Sequence, residues 1–110
     1  HRRLIAMDEA LIAQISASVL RRRGVTWTPG DALASQATEA AAAAIGLLRA
    51  YAGNDSLPLS GGAEYDLAVV AAWYLMDNRR AEFLADYKQE LLLLRMQEAV
   101  ADAGSGTDVS

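Results

Sequence analysis

Ten consecutive residues, Leu67 to Met76 (LAVVAAWYLM), carry no charge, and no other stretch limits the fold of this chain as strongly. A run this apolar must be buried. It is far short of the ~20 residues needed to cross a bilayer, and it lacks the alternation of a half-buried strand. A polar break, Asp77-Asn78-Arg79-Arg80, follows. Phe83, Tyr87, Leu91 and Leu94 then recur at helical spacing. Glu64 to Met96 therefore reads as a buried helix, a charged corner and a half-exposed helix.

The rest of the chain continues the helical pattern. Leu4, Met7, Leu11, Ile15 and Val19 lie three or four residues apart, which predicts a helix over about 3–23 with one apolar face. Ser16, Ala17 and Ser18 fall on its wet side. Arg21, Arg22 and Arg23 in the last turn complement the helix dipole, and Gly24 suits the left-handed position that ends it. Val25 and Trp27 are apolar anchors in the linker. A second helix starts either with Thr28 as cap and Pro29 in the first turn, or with Asp31 as cap, and runs to about residue 52. Ala37, Ala41, Ala44, Leu48 and Tyr51 form a stripe of mostly small side chains along it. This stripe serves either close internal packing or a subunit contact. Leu57-Pro58-Leu59 is an anchored loop that plugs the end of the bundle, and Ser60-Gly61-Gly62 is a turn.

The fold class expected is all-α: an antiparallel bundle of about four helices, with the apolar third helix (63–77) central and a fourth helix over 80–101. Residues 1–103 form one helical domain, and 104–110, small and glycine-containing, form a flexible C-terminal tail. The core should hold Leu11, Ile15, Ile45, Leu48, Val69, Val70, Trp73, Phe83, Tyr87 and Leu91. Leu91 to Leu94 is a run of four leucines, and four residues cover a full turn. Some of them must therefore face outward, beside Met96 and Val100.

Most chemistries lack their residues. With no cysteine, disulfides, thiolate metal sites and cysteine nucleophiles are excluded. The single histidine is His1, which leaves no Ser-His pair and no multi-histidine metal site within the fold. No phosphate-cradling glycine loop is present. Asp86 and Glu90 share a helix face, but with Lys88 between them and Arg80 and Arg95 nearby they read as a solvated charged surface. The expectation is a non-enzyme with no cofactor and no metal. A net charge of −4 opposes general attraction to nucleic acid or membrane. The arginine groups Arg2-Arg3, Arg21–Arg23 and Arg79-Arg80 could still form a local phosphate patch. No leader pattern is expected ahead of the first helix, and a start at His1 rather than Met reads either as a missing natural start or as a tag remnant.

The segment EYDLAVVAAWYLMDNRRAEFLADYKQELLLLRM resembles the head–tail connector (adaptor, head completion) proteins of tailed bacteriophages. That family often shows a tyrosine-bearing apolar helix, here with Tyr74, and a charged corner near an Asn-Arg pair, here Asn78-Arg79. A helix of the type F-x-x-x-Y-x-x-x-L follows, here Phe83, Tyr87 and Leu91. The resemblance covers roughly the last two-thirds of the chain and rests on size and polarity rather than on invariant residues. It implies a structural virion protein at the neck, made in the host cytoplasm and assembled on the portal protein as a homo-oligomeric ring of about a dozen copies. Such a ring meets a head-closure or tail completion protein on its other side, and DNA passes through it only as cargo. The 53–62 loop would reach a neighbouring subunit or the tail side, and the C-terminal tail would order on the portal. Candidate subunit or portal contacts are Arg79, Arg80, Leu92, Leu93, Met96 and Val100. The alternatives are a helical interaction module that dimerises through the alanine stripe or the Leu91–Leu94 surface, and a nucleic-acid-binding accessory protein using the arginine groups.

Overall fold

The computed structural model describes residues 2–24, 26, 28, 30–55, 57–59 and 61–108, with side chains placed only between residues 8 and 100. The described chain is all-helical, with α1 Arg2–Arg23, α2 Ala32–Ala52, α3 Gly62–Met76, α4 Arg80–Asp86 and α5 Lys88–Asp108. The expected fourth helix is therefore two helices. No proline or glycine sits at the break, and the backbone ladder runs through it: Tyr87 N–H donates to Phe83 O (2.9 Å) and Leu91 N–H to Tyr87 O (3.0 Å). The bend lies over a cluster of three rings. Phe83 stacks on Tyr87 with centroids 5.2 Å apart, and Tyr74 of α3 meets both edge-on at 5.7 and 5.9 Å. This bend keeps α4 on α3 while α5 turns toward α2.

Local chemistry sets the helix ends. Asp31, not Thr28, caps α2: its Oδ1 accepts from the Ala34 N–H at 2.7 Å and its Oδ2 from the Thr28 N–H at 2.9 Å. Both bonds favour the carboxylate and hold its pKa below the usual value. Val25, Trp27 and Pro29, which the sequence reading used as anchors and helix start, lie outside the described residues, as does Ser60. Helix α3 stops through a Schellman arrangement at the charged corner. Asn78 takes a left-handed φ of 57°, its N–H donates to Leu75 O (3.1 Å), and the Arg79 N–H reaches back to Tyr74 O (2.9 Å). Helix α5 carries on to Asp108, so the backbone of 104–108 is helical where composition predicts a flexible tail; Val109 and Ser110 lie outside the described residues.

The most enclosed helix is α2 rather than the more apolar α3. It packs on α1, α3 and α5, and Ala37, Ala40, Ala41, Ala44, Ile45 and Leu48 are all buried. Small side chains let the neighbouring backbones close in, and size rather than hydropathy decides which helix fits in the middle. The cost falls on α3, where Val70, Trp73, Tyr74, Leu75 and Met76 are only half-buried. Val70, Trp73 and Tyr87 thus belong to the margin of the core, whereas Leu11, Ile15, Ile45, Leu48, Val69, Phe83 and Leu91 are inside it. Ser16 and Ser18 are buried, not wet, because α1 is covered by α2 and α3 together. The Ser18 hydroxyl lies 2.7 Å from the Tyr65 hydroxyl, which itself donates to Gln14 O at 3.1 Å. Leu57 and Leu59 plug the end of the bundle, both buried, with Leu59 held at a left-handed φ of 53°. Fully burying a leucine contributes about 1.5–3 kcal/mol, enough to offset backbone strain of this kind.

Candidate interaction surface

The run Leu91–Leu94 splits as helical geometry requires. Leu91 and Leu94 enter the core, 2% and 4% exposed, whereas Leu92 and Leu93 are 54% and 56% exposed. Met96 (54%) and Val100 (71%) extend the outward pair along α5. At about 100° per residue all four lie within roughly a third of the helix circumference, on the side opposite Leu91 and Leu94. Helix α5 is therefore apolar on two opposite faces, and only one is covered by its own chain. Four large, neighbouring apolar side chains form a patch of the scale that marks contact sites.

The charged corner is internally satisfied to a large extent. The Arg79 Nε donates to Glu82 Oε2 at 2.7 Å, a second guanidinium nitrogen bonds the same oxygen, and the guanidinium lies 5.1 Å from the centre of the Tyr74 ring. The hydrogen bonds to Glu82 hold the Arg79 pKa above its ordinary value. Tyr74 donates to Asp86 Oδ2 at 3.0 Å, which pushes its phenol pKa up. Arg79 thus anchors the corner. Arg80 is exposed and has no acidic partner among the described residues. The structure does not bring the two groups of candidate residues together: Arg79 and Arg80 open α4, and Leu92 to Val100 lie on α5 beyond the Tyr87 bend.

The described arginines of the second and third groups are mostly answered by acids. Arg23 bridges to Asp77 (2.9 Å), donates to the Trp73 carbonyl (2.9 Å) and stacks 4.6 Å from the centre of the Trp73 ring. Arg22 faces Asp66 at 3.9 Å. Residues 1–7, which include Arg2 and Arg3, have no described side chains. One residue with a central structural role carries no spacing signal. Arg49 forks onto Asp8 through two bonds of 3.0 and 2.9 Å and donates Nε to Leu57 O at 2.9 Å. It ties α1, α2 and the plug loop together. The only sequence signal was an arginine inside an otherwise apolar helix face.

The bend at Tyr87 leaves a second feature. No Cα of α3 comes within 8 Å of one in α5, and an open groove of about 330 Å³ runs between the two helices. Among the described residues, no group of three or more His, Cys, Asp or Glu side chains is placed to hold a metal ion, and no helix is long and apolar enough to cross a membrane. Comparison with family models, with curated proteins and with solved structures found no match to this chain.

Proposed function

We propose that this chain is a structural head–tail connector of a tailed bacteriophage or prophage, non-enzymatic, assembling as a ring of about a dozen copies on the portal vertex. The observation that carries this reading is the uncovered face of α5, where Leu92, Leu93, Met96 and Val100 are each more than half exposed. A chain that leaves such a face open on a small domain is built to be covered by something. The pattern of the 64–96 segment says what that assembly would be: a ring at the virion neck, between the portal and a head-closure or tail completion protein. We read the helices as the antiparallel bundle of that pattern, with α4 and α5 as one bent fourth member. Asp8 near the start of α1 meets Arg49 near the end of α2, and Ala40 in the first half of α2 shares a groove with Leu75 at the end of α3. The molecule measures 53 × 34 × 19 Å, two helix layers thick.

A dimeric interaction module is the second reading, and the same α5 face favours it. The alanine stripe does not, since Ala37, Ala41 and Ala44 are covered from within. Nucleic-acid binding is weakened by the pairing of Arg23 and Arg79 with acids. Native mass spectrometry over a range of concentrations separates the readings. A closed oligomer of about a dozen copies supports the connector, and a dimer that persists at every concentration supports the module. A monomer restricts the connector to assembly on a portal, tested by co-sedimentation with portal rings.

A further inference from the structure

Helix α5 lies between two apolar grooves whose rims carry opposite charge. The groove against α3 has Leu67, Val70 and Leu94 in its walls, and its charged lining residues are all acidic: Glu64, Asp66 and Glu90. The groove on the other flank, about 390 Å³ against the end of α2 and against α4, is lined by Tyr51, Leu84 and Leu91. Its charged residues are both basic, Lys88 and Arg95. Between the grooves rises the exposed ridge of Leu92, Leu93, Met96 and Val100. The register is regular. Lys88 and Arg95 are seven residues apart, nearly two helical turns, and so follow one flank; Glu90 and Gln97 follow the other in the same way.

We propose that the occupant of the acidic groove is the α5 ridge of a second copy of this chain. Leu92 and Met96 of one copy enter the groove between α3 and α5 of the next, which brings Lys88 and Arg95 to the rim formed by Glu64 and Glu90. The complementarity is internal to the chain: one helix carries an acid-rimmed cleft on one flank and a basic, apolar edge on the other. Charges flanking an apolar seam set the choice and orientation of a partner helix. The acidic rim is largely free to pair, since Glu64 and Glu90 have no ion pair among the described residues and Asp66 faces Arg22 only at 3.9 Å. One ridge of on the order of 400 Å² entering one groove makes a contact below the ~1,200 Å² of stable pairs, so each contact is weak alone and gains from repetition around a closed ring. In the ring reading the contact is heterologous, the ridge of each copy entering the groove of the next. A pair leaves one groove unfilled, and further copies add until the rotation closes. This contact rests on the self-assembly part of the connector reading and gives it a surface.

The test is a charge exchange followed by sedimentation velocity, with helical circular dichroism as the check on folding. Glu90 and Arg95 are both exposed, so Glu90→Lys and Arg95→Glu should fold as the parent does. The parent should self-associate, and each variant alone should weaken association about tenfold or more, because like charges then meet across the contact. Mixing the two variants in equal amounts should restore association, as should the double variant, because every ridge again meets a groove of opposite sign. Association of either single variant at parental strength, or failure of the mixture to recover, overturns the contact while leaving self-assembly through another surface open. A parent that stays monomeric at the highest concentration also overturns it, whereas the connector reading falls only if the chain fails to bind portal rings as well.

Discussion

Replacing Arg49 by methionine tests how the bundle is tied at its plugged end. The methionine keeps an apolar stem of similar reach and removes all three hydrogen bonds. The two bonds to Asp8 are charge-assisted, but Asp8 is 35% exposed and Arg49 14%, so solvent screens the pair, and about 1 kcal/mol for the fork is a fair figure. Losing the bond to the Leu57 carbonyl leaves an acceptor on a residue that is 2% exposed, worth about another 1–2 kcal/mol. Arg49→Met should therefore cost about 2–3 kcal/mol, or roughly 10 °C in melting temperature for a chain of this length. Asp8→Asn should cost only the fork, about 1 kcal/mol. Urea melts of the three proteins at neutral pH measure both.

The same pair makes a pH prediction with a definite sign. The hydrogen bonds from Arg49, aided by its charge and opposed by burial, hold the Asp8 pKa below its ordinary value. A carboxylate whose folded pKa is lowered stabilises the fold above its unfolded pKa of about 4 and loses that contribution as pH falls through the folded value. The stability gap between parent and Arg49→Met should thus narrow below about pH 4, leaving only the part due to Leu57. A gap under about 0.5 kcal/mol at neutral pH, equal losses for Asp8→Asn and Arg49→Met, or a gap that does not narrow in acid would each refute the account of Arg49 as a three-way tie.

Phe83→Ala removes a fully buried ring from the cluster under the Tyr87 bend and should cost about 3–5 kcal/mol in a denaturant melt, with near-ultraviolet circular dichroism lost in parallel. Asn78→Gly relieves a left-handed residue in the α3 stop and should be neutral or raise stability by up to about 1 kcal/mol; a loss would mean that the Asn78 side chain does more than fill the position. Leu92→Glu with Met96→Glu should change monomer stability by less than about 0.5 kcal/mol per site while abolishing self-association, because both side chains are more than half exposed. Hydrogen exchange should be fastest past Ala103, where Gly104 and Gly106 each weaken the helix by about 1 kcal/mol relative to alanine; protection there equal to that of residues 91–94 would refute this.

The all-helical class and most of the interior were legible because apolar spacing is a local signal. Leu11, Ile15, Ile45, Leu48, Val69, Phe83 and Leu91 all sit where their period puts them. What failed depended on relations between helices. Hydropathy alone made α3 the centre, but centrality is decided by how closely neighbours can approach, and the alanines of α2 win that contest against the bulkier Trp73 and Tyr74. Ser16 and Ser18 looked wet because nothing in a single helix shows that two others cover it. The Arg49 tie spans 41 residues to Asp8, a separation at which no spacing rule operates.

The bend at Tyr87 carries this point into the candidate site. Residues 80–101 keep good helical periodicity throughout, with no breaker, so one straight helix is the natural reading of the sequence. A straight helix would hold a single line against α3, and Leu93 would have no cleft beside it. Where the stacked Phe83 and Tyr87 rings meet Tyr74 edge-on, the chain bends, α5 crosses to α2, and the acid-rimmed groove opens between α3 and α5. The four leucines guarantee that something apolar faces outward. The rings of Phe83 and Tyr87, ten and six residues before Leu93, place an open cleft beside it. A surface made in this way is sensitive to its core: loss of the Phe83 ring should alter association through the α5 angle even where the exposed residues are untouched. Comparing self-association of Phe83→Leu with that of Leu92→Glu at matched helical content separates a surface set by composition from one set by the bend. If Phe83→Leu associates as the parent does, the bend does not shape the contact.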